Sequence, residues 1–316
     1  MFTNSKLFSY EEGIALNGDL EIYYRDYGPK DAEPILLVQG IGGQLINWPE
    51  HLIDFLLENN FRPIVYDNRD TGLSSRIPSD SFSDAKRDNT IVKNYIRYYL
   101  RLPIKSDYTL DDMAVDGVSV LDKLDISEAH ILGISMGGMI AQIIVSSHPE
   151  RTKTFTLISS TASTPSPFNG PTRKVRKLLM NRTKNPNSTV DERVARSRKI
   201  FTEIGYQGID LNTEEFYNNV SISIERGGKD DTGFGRQLNA ILASQNRLDK
   251  VKSISAPTLI IHGLEDPLIK VKNAHKANKL IRGSKLIIID DMRHLIEPPV
   301  FNQFKDDLLE HLETNK

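Results

Sequence analysis

One serine of this chain lies in a setting that could make its hydroxyl a nucleophile. Ser135 is the centre of a Gly-x-Ser-x-Gly run, Gly133–Gly137, between the apolar run His130–Ile134 and the helix-like segment Met139–Ser147. A serine on a sharp turn from strand to helix needs glycines on either side, because larger side chains would clash with the turn. Such a string also occurs by chance, so the flanking strand and helix are what favour a nucleophile elbow here.

A serine hydroxyl is a poor nucleophile until a base removes its proton, and an acid must hold that base in one tautomer. In enzymes with a nucleophile elbow, the acid and then the histidine follow the serine along the chain, each in a loop after a later strand. Asp266 follows the apolar run Thr258–Ile261, and His294 follows Leu286–Ile289. These two residues are therefore the candidate acid and base.

Both assignments have competitors. The other six histidines fall in predicted helices or strands, where packing or surface roles are expected: His51, His130, His148, His262, His275 and His311. Glu265 is adjacent to Asp266 and could supply the acid instead. We favour Asp266 because Pro267 makes its turn rigid, and we expect Glu265 to be solvated.

Acyl transfer also needs N–H donors aimed at the oxygen on which negative charge develops. The backbone N–H of Met136, next to the serine, is one predicted donor. The second is the backbone N–H of Ile41 in the loop Gln39–Gly43, whose glycines let the backbone approach a substrate closely. A dinucleotide-binding fingerprint is the rival interpretation of this loop, but it requires a third glycine where Leu45 stands.

A charged loop, Asp67–Ser74, follows the apolar run Ile64–Tyr66. It combines opposite charges with a glycine turn. We interpret Arg69 and its two neighbouring aspartates, Asp67 and Asp70, as structural residues that bridge loops. Direct substrate binding is the alternative.

The composition narrows the chemistry. The 316 residues are 39% hydrophobic and 26% charged, which is enough apolar content for a folded core. Because the chain has no cysteine, it has no disulfide, thiolate nucleophile or sulfur-ligated metal. The net charge of −2 gives no reason to expect binding to nucleic acid.

The location of the protein is predicted from two segments. Met1–Tyr10 lacks the apolar run of a signal peptide, and the uncharged stretch Ala129–Pro149 is interrupted by glycines and polar residues. We therefore predict a cytoplasmic protein without membrane insertion.

The elements that would position these residues are predicted from short runs rich in Ile, Val and Leu. Such runs, separated by helix-like segments, are typical of strands buried on both faces of a parallel sheet. They are Ile35–Val38, Ile64–Tyr66, His130–Ile134, Thr154–Ile158, Thr258–Ile261 and Leu286–Ile289. An Asn17-Gly18 pair between Lys6–Leu16 and Leu20–Tyr27 adds an antiparallel hairpin. The fold class is α/β, with a doubly wound sheet.

The alternation of strand and helix stops once, between Ser160 and about Ser253, where the sequence becomes polar and helical. We therefore predict a core domain of residues 1–160 and 254–316 and a helical cap domain of residues 161–253, termed the insertion below. The insertion carries a basic cluster: Arg173, Lys174, Arg176 and Lys177. We interpret this cluster as a solvated helical face, with a site for an anionic substrate as the alternative.

These motifs together resemble the α/β-hydrolase superfamily over nearly the whole chain. The matching motifs are Gly40–Gly43, the charged loop, Gly133–Gly138, His262–Pro267 and His294. The Asp-Asn-Arg-Asp-Thr-Gly part of the charged loop is similar to that of bacterial carboxylesterases of the aclacinomycin methylesterase type. Gln39 is a departure, because many relatives have histidine there.

The resemblance implies an α/β-hydrolase fold with a mostly parallel eight-stranded sheet, flanking helices and a helical cap. It implies a catalytic triad of Ser135, Asp266 and His294, and it implies no cofactor or metal. A serine at the elbow argues against epoxide hydrolases and haloalkane dehalogenases, which resemble this fold but use aspartate there.

We predict a cofactor-independent serine hydrolase, a carboxylesterase that cleaves small or medium esters through an acyl-enzyme on Ser135. Its expected partners are small-molecule esters, and its expected state is a monomer or homodimer. One alternative is an aminopeptidase resembling proline iminopeptidase, in which an acidic cap residue such as Glu203, Glu214 or Glu215 would hold a substrate ammonium. The other alternative is a ligand receptor without catalytic activity.

Overall fold

The fold is built on one eight-stranded sheet with both parallel and antiparallel pairs. The computed structural model describes residues 9–78, 93–94, 96–100, 102–162, 170–181, 188–227, 232–244 and 247–315. The strands are β1 (Tyr10–Asn17), β2 (Leu20–Tyr27), β3 (Glu33–Val38), β4 (Phe61–Tyr66), β5 (Ala129–Ile134), β6 (Thr152–Ile158), β7 (Thr258–Gly263) and β8 (Lys285–Ile289). Their order in the sheet is β1-β2-β4-β3-β5-β6-β7-β8. The β1–β2 and β2–β4 pairs are antiparallel and the other pairs are parallel, which confirms the predicted fold class.

Helices follow most of the parallel strands. They are α1 (Glu50–Glu58), α2 (Leu110–Lys123), α3 (Met136–Ser147), α4 (Arg173–Asn181), α5 (Val190–Ile204), α6 (Glu214–Gly227), α7 (Thr232–Ala243), α8 (Arg247–Lys252), α9 (Lys272–Leu280), α10 (Pro298–Phe301) and α11 (Lys305–Glu313). Within the described residues, no helix is long and apolar enough to cross a bilayer.

Every apolar run predicted as a strand lies within an observed strand. The central strands β4, β5 and β7 are buried at every position, as expected for strands covered on both faces. The hairpin forms at the predicted turn, where Asn17 pairs with Leu20 and Gly18 has a φ of +59°. The part of the first predicted strand that precedes residue 9 lies outside the described residues.

The insertion is helical in its described residues and holds α4 to α8. Two small apolar clusters lie within it, one around Val175 and Ile200 and the other around Val194 and Phe216. By contrast, α7 and α8 contribute buried residues, including Val251, to the main core cluster beside the sheet. The two ends of the insertion therefore differ in packing. The boundaries of the cap domain, residues 161 and 253, stay a prediction.

The charged loop ties the sheet to α2 and α7. The Arg69 guanidinium donates to both carboxylate oxygens of Asp116 on α2, at 2.6 and 2.7 Å. Asp70 accepts two hydrogen bonds from the Arg236 guanidinium on α7, at 2.6 and 2.8 Å, in the same bidentate arrangement. All four side chains are buried. Each charged group therefore depends on its ion-pair partner for the stabilisation that water would give an exposed charge. These contacts support a structural role for Arg69 and Asp70, although their partners lie on helices and not on loops.

Two partly buried histidines make the stability of this fold dependent on pH. Burial lowers the pKa of His51 on α1 and of His311 on α11 to about 4. In the unfolded chain their pKa is near 6.5, so protons bind the unfolded state first as the pH falls. The free energy of unfolding should therefore be unaffected by these groups above pH 6.5. Between pH 6.5 and 4 it should fall by about 3 kcal/mol for each histidine.

Urea unfolding at pH 7 and pH 5 measures this effect. The double variant with His51→Gln and His311→Gln should lose less stability than the unmodified protein between these two pH values. An equal loss in both proteins would assign the acid sensitivity to other groups.

Candidate active site

Ser135 occupies the turn between β5 and α3 in a strained conformation. Its φ is +56° and its ψ is −123°, a combination that side chains rarely adopt. Its N–H donates to the Ile158 carbonyl at 3.0 Å, and its own carbonyl accepts from the Ser160 hydroxyl at 2.6 Å. Hydrogen bonds from β6 and from the loop after it therefore hold the turn in place. They allow the surrounding structure to maintain the strained backbone conformation of Ser135.

The glycines around Ser135 are required by close backbone approach. A Cβ atom on Gly133 would lie 2.5 Å from the Gly137 carbonyl oxygen, and one on Gly137 would overlap the Val38 carbonyl. Real Cβ atoms do not approach backbone so closely. Both positions therefore require glycine, as predicted, although the clash at Gly137 is with the end of β3 and not with the turn itself.

Asp266 and His294 are joined in the loops after β7 and β8. The Nδ1 atom of His294 lies 2.7 Å from Oδ2 of Asp266, and both side chains are buried. The other carboxylate oxygen, Oδ1, accepts from the backbone N–H groups of Leu268 and Ile269, each at 2.8 Å. An ionised carboxylate only accepts, so Nδ1 of His294 is the donor in this contact, and Nε2 is the ring nitrogen left for another partner.

The neighbours of Asp266 have different environments. Glu265 is exposed, and its nearest described cation is Arg293, at 3.9 Å. The imidazole Nε2 of His262 lies 2.7 Å from the Ile269 carbonyl and 3.5 Å from Asp266 Oδ2. Burial lowers the pKa of His262, which favours its neutral form. The structure therefore brings Asp266, and not Glu265, against His294.

The loop after β3 passes directly beside the serine. A Cβ atom on Gly40 would lie 3.2 Å from the Ser135 Cβ. The Gly40 N–H donates to the side chain of Gln39 at 2.7 Å, and the Gly42 N–H donates to Gln237 of α7 at 2.8 Å. Ile41, a predicted oxyanion donor, lies between these two fixed amides, and Met136, the other, begins α3 next to Ser135.

Ser135 and His294 line one cavity of about 290 Å³, termed the apolar cavity. Ile41 also lines it, whereas Asp266 lies behind His294 and does not. Its walls come largely from apolar side chains of α5, α6 and α7: Ile200, Phe201, Ile204, Phe216, Val220 and Phe234. A concave apolar site with a few polar groups is the usual form of a small-molecule site.

A polar cavity of about 110 Å³ adjoins the apolar cavity. The two share Gly42, Ser197 and Phe234 among their lining residues. Arg76 and Arg193 line the polar cavity together with Asp70, whose carboxylate is already bound by Arg236. A substrate in the apolar cavity is thus adjacent to a more polar region.

The model of the family described as "alpha/beta hydrolase fold" matches residues 33–296. The chain belongs to the α/β-hydrolase family. It is 25% identical over 312 residues to rhodomycin D methylesterase of Streptomyces peucetius, covering 94% of this chain and 92% of that protein. It is 23% identical to a non-heme chloroperoxidase of Burkholderia pyrrocinia, covering 86% and 89% of the two chains. The predicted resemblance to aclacinomycin-type methylesterases is confirmed.

A solved structure agrees on the fold. The 2-hydroxy-6-oxo-6-phenylhexa-2,4-dienoate hydrolase of a Rhodococcus strain superposes with a TM-score of 0.71 at 17% identity, covering 97% of this chain and 99% of that one. This likeness concerns the fold; the family match and the sequence relatives are what make the chain an enzyme of the α/β-hydrolase class with esterase-like relatives.

In this α/β-hydrolase, the end of α5 is bonded to the loop that carries His294. The His294 backbone N–H donates to the Ile204 carbonyl at 2.8 Å, and the Arg293 guanidinium donates to the Glu203 carbonyl at 2.5 Å. In the reverse direction, the Tyr206 N–H donates to Oε1 of Glu297 at 2.9 Å. These contacts join residues about ninety positions apart, so no local sequence signal predicts them.

The charged candidates of the insertion lie away from the apolar cavity. All four residues of the basic cluster are exposed, and Lys174 forms an ion pair with Glu203. Glu214 and Glu215 are also exposed. Among the described residues that line the apolar cavity, none belongs to the basic cluster or is one of these three glutamates. The described residues also contain no group of three or more His, Asp or Glu side chains able to hold a metal ion.

Proposed function

We propose that this α/β-hydrolase is a serine carboxylesterase that works through an acyl-enzyme on Ser135. The observation that carries the proposal is the strained serine in one cavity with a histidine whose Nδ1 is held by a buried aspartate. This combination supplies a nucleophile, a base with a fixed tautomer and space for a substrate.

In the proposed reaction, His294 Nε2 takes the proton of the Ser135 hydroxyl as the serine oxygen attacks the ester carbonyl. The backbone N–H groups of Ile41 and Met136 stabilise the oxyanion of the tetrahedral intermediate. The imidazolium then protonates the leaving alcohol, and the acyl group remains on Ser135. Water, deprotonated by His294, attacks the acyl-enzyme, and the imidazolium returns that proton to the Ser135 oxygen as the carboxylic acid is released. Asp266 keeps the histidine oriented and stabilises its charged form throughout.

The walls of the apolar cavity support an ester with a sizeable apolar group as the substrate. The relative named rhodomycin D methylesterase supports ester hydrolysis over the other reactions of this family. The aminopeptidase alternative cannot use the cap glutamates first considered for it, because Glu203, Glu214 and Glu215 do not line the apolar cavity.

A panel of p-nitrophenyl esters of increasing acyl length, a matched thioester and an aminoacyl amide tests the proposed function. We expect turnover of the esters, with kcat/KM rising with acyl length until the cavity is filled. The Ser135→Ala variant is the control for spontaneous hydrolysis. Faster cleavage of the aminoacyl amide would favour the peptidase, and binding without turnover would favour the receptor.

A further inference from the structure

Glu297 is a buried acidic residue at one end of the apolar cavity, three positions after His294. Only 9% of its surface is exposed. It also lines a smaller side cavity of about 70 Å³, formed mainly by the chain that follows α5. Phe201, Ile209 and Leu211 line both cavities as well, so Glu297 lies where the two meet.

The two carboxylate oxygens of Glu297 have different surroundings. Oε1 accepts a hydrogen bond from the Tyr206 N–H, and a Cβ atom on Gly205 would lie only 2.5 Å from it. Oε2 is buried and has no hydrogen-bond partner in the part of the chain that the structure describes. Leaving a buried acceptor unsatisfied is costly, and more so for a charged group. One oxygen is therefore used in holding the fold, and the other lacks a hydrogen-bond partner among the described residues.

The charges around Glu297 do not supply that partner. Among the ion pairs of the described residues, none includes Glu297. The nearby titratable group is His294, whose Nδ1 is already bound to Asp266. Burial raises the pKa of the Glu297 carboxyl, and a hydrogen-bond donor brought into the cavity would lower it again.

We propose that Oε2 of Glu297 accepts a hydrogen bond from a hydroxyl or ammonium group carried by the substrate. This makes Glu297 a specificity-determining residue for esters that combine a large apolar part with one such donor. The inference rests on the proposed function, because the cavity concerned is the one that contains Ser135. Neither the hydroxyl nor the ammonium group takes part in the chemical step.

The test compares matched p-nitrophenyl esters: a plain acyl chain, and the same chain with a hydroxyl or an amino group at successive carbons. The unmodified protein should favour at least one donor-bearing ester over its plain counterpart by about 10- to 100-fold in kcat/KM. In the Glu297→Gln variant, the amide oxygen can still accept from Tyr206, but the amide nitrogen replaces Oε2 and cannot accept. For the amino ester, whose ammonium can only donate, the preference should disappear; for the hydroxy ester it should weaken, because a hydroxyl can accept from the new amide N–H.

Glu203→Gln is the matched control, since Glu203 belongs to the same contact region but does not line the apolar cavity. It should keep the preference. Which ester is preferred, hydroxylated or amino, identifies the donor.

If the unmodified protein hydrolyses plain esters without any preference for a donor, the inference is wrong and the proposed function stands. If Glu297→Gln lowers kcat equally for all esters and shifts the pH profile, Glu297 acts through His294 and the inference is also wrong. If no ester is hydrolysed, the proposed function fails and the inference fails with it.

Discussion

Replacing Ser135 with alanine is expected to lower kcat for ester hydrolysis by about 10⁴- to 10⁶-fold. The change removes the oxygen that forms the acyl-enzyme, and the tight turn leaves no other hydroxyl at the same position. Because the proposed triad acts as a unit, His294→Ala should cause a loss of similar size. The double variant should be little worse than either single variant. Steady-state kinetics on the best ester of the panel measures all three.

Covalent labelling tests the same assignment without a substrate. A fluorophosphonate should modify Ser135 alone, because it reacts quickly only with a serine activated by a base and close to oxyanion donors. Peptide mass spectrometry locates the label. Ser223→Ala is the control, since Ser223 lines the same cavity and its loss should leave labelling intact. Labelling that persists in Ser135→Ala would overturn the choice of nucleophile.

The substitution Asp266→Asn is expected to lower kcat about 10⁴-fold while the fold is retained. An asparagine keeps Oδ1, which accepts from the backbone of Leu268 and Ile269, so the loop should hold its shape. Its Nδ2 would face Nδ1 of His294 and donate to it, which favours the tautomer with the proton on Nε2. That tautomer cannot accept the proton of Ser135.

The control for Asp266→Asn is Glu265→Gln. Glu265 is exposed and its carboxylate faces Arg293 at 3.9 Å, so this change should leave kcat nearly unaltered. Circular dichroism and thermal unfolding of both variants separate lost catalysis from lost structure. A large kcat loss in Glu265→Gln with little loss in Asp266→Asn would exchange the two assignments.

The features that the sequence predicts are local ones. Each buried strand appears as a short run of apolar residues, and the elbow appears as a serine with glycines two positions away on each side. Pro267 favours Asp266 over Glu265 as the candidate acid, and the structure places Oδ2 of Asp266 2.7 Å from Nδ1 of His294. These signals can be read from the sequence because each depends on a few neighbouring residues.

The features that the sequence does not predict depend on distant contacts. The pairing of Asp70 with Arg236 joins positions 166 residues apart, and the bond from Gly42 to Gln237 joins positions 195 residues apart. Glu297 shows no local motif, and its burial follows only from the approach of the chain after α5. The sequence alone does not single out any of these partners from the many charged and amide side chains of the chain.

The bond between the His294 backbone and the Ile204 carbonyl limits how this enzyme can be recombined with its relatives. A chimera that receives a foreign insertion also replaces the acceptor that fixes one side of the histidine loop. Such a chimera should gain new substrate contacts, but His294 should be misaligned with Ser135. The alignment should be kept only if the loop 293–297 comes from the same relative as the insertion. The α5 end and the loop that carries His294 are therefore a single unit of inheritance.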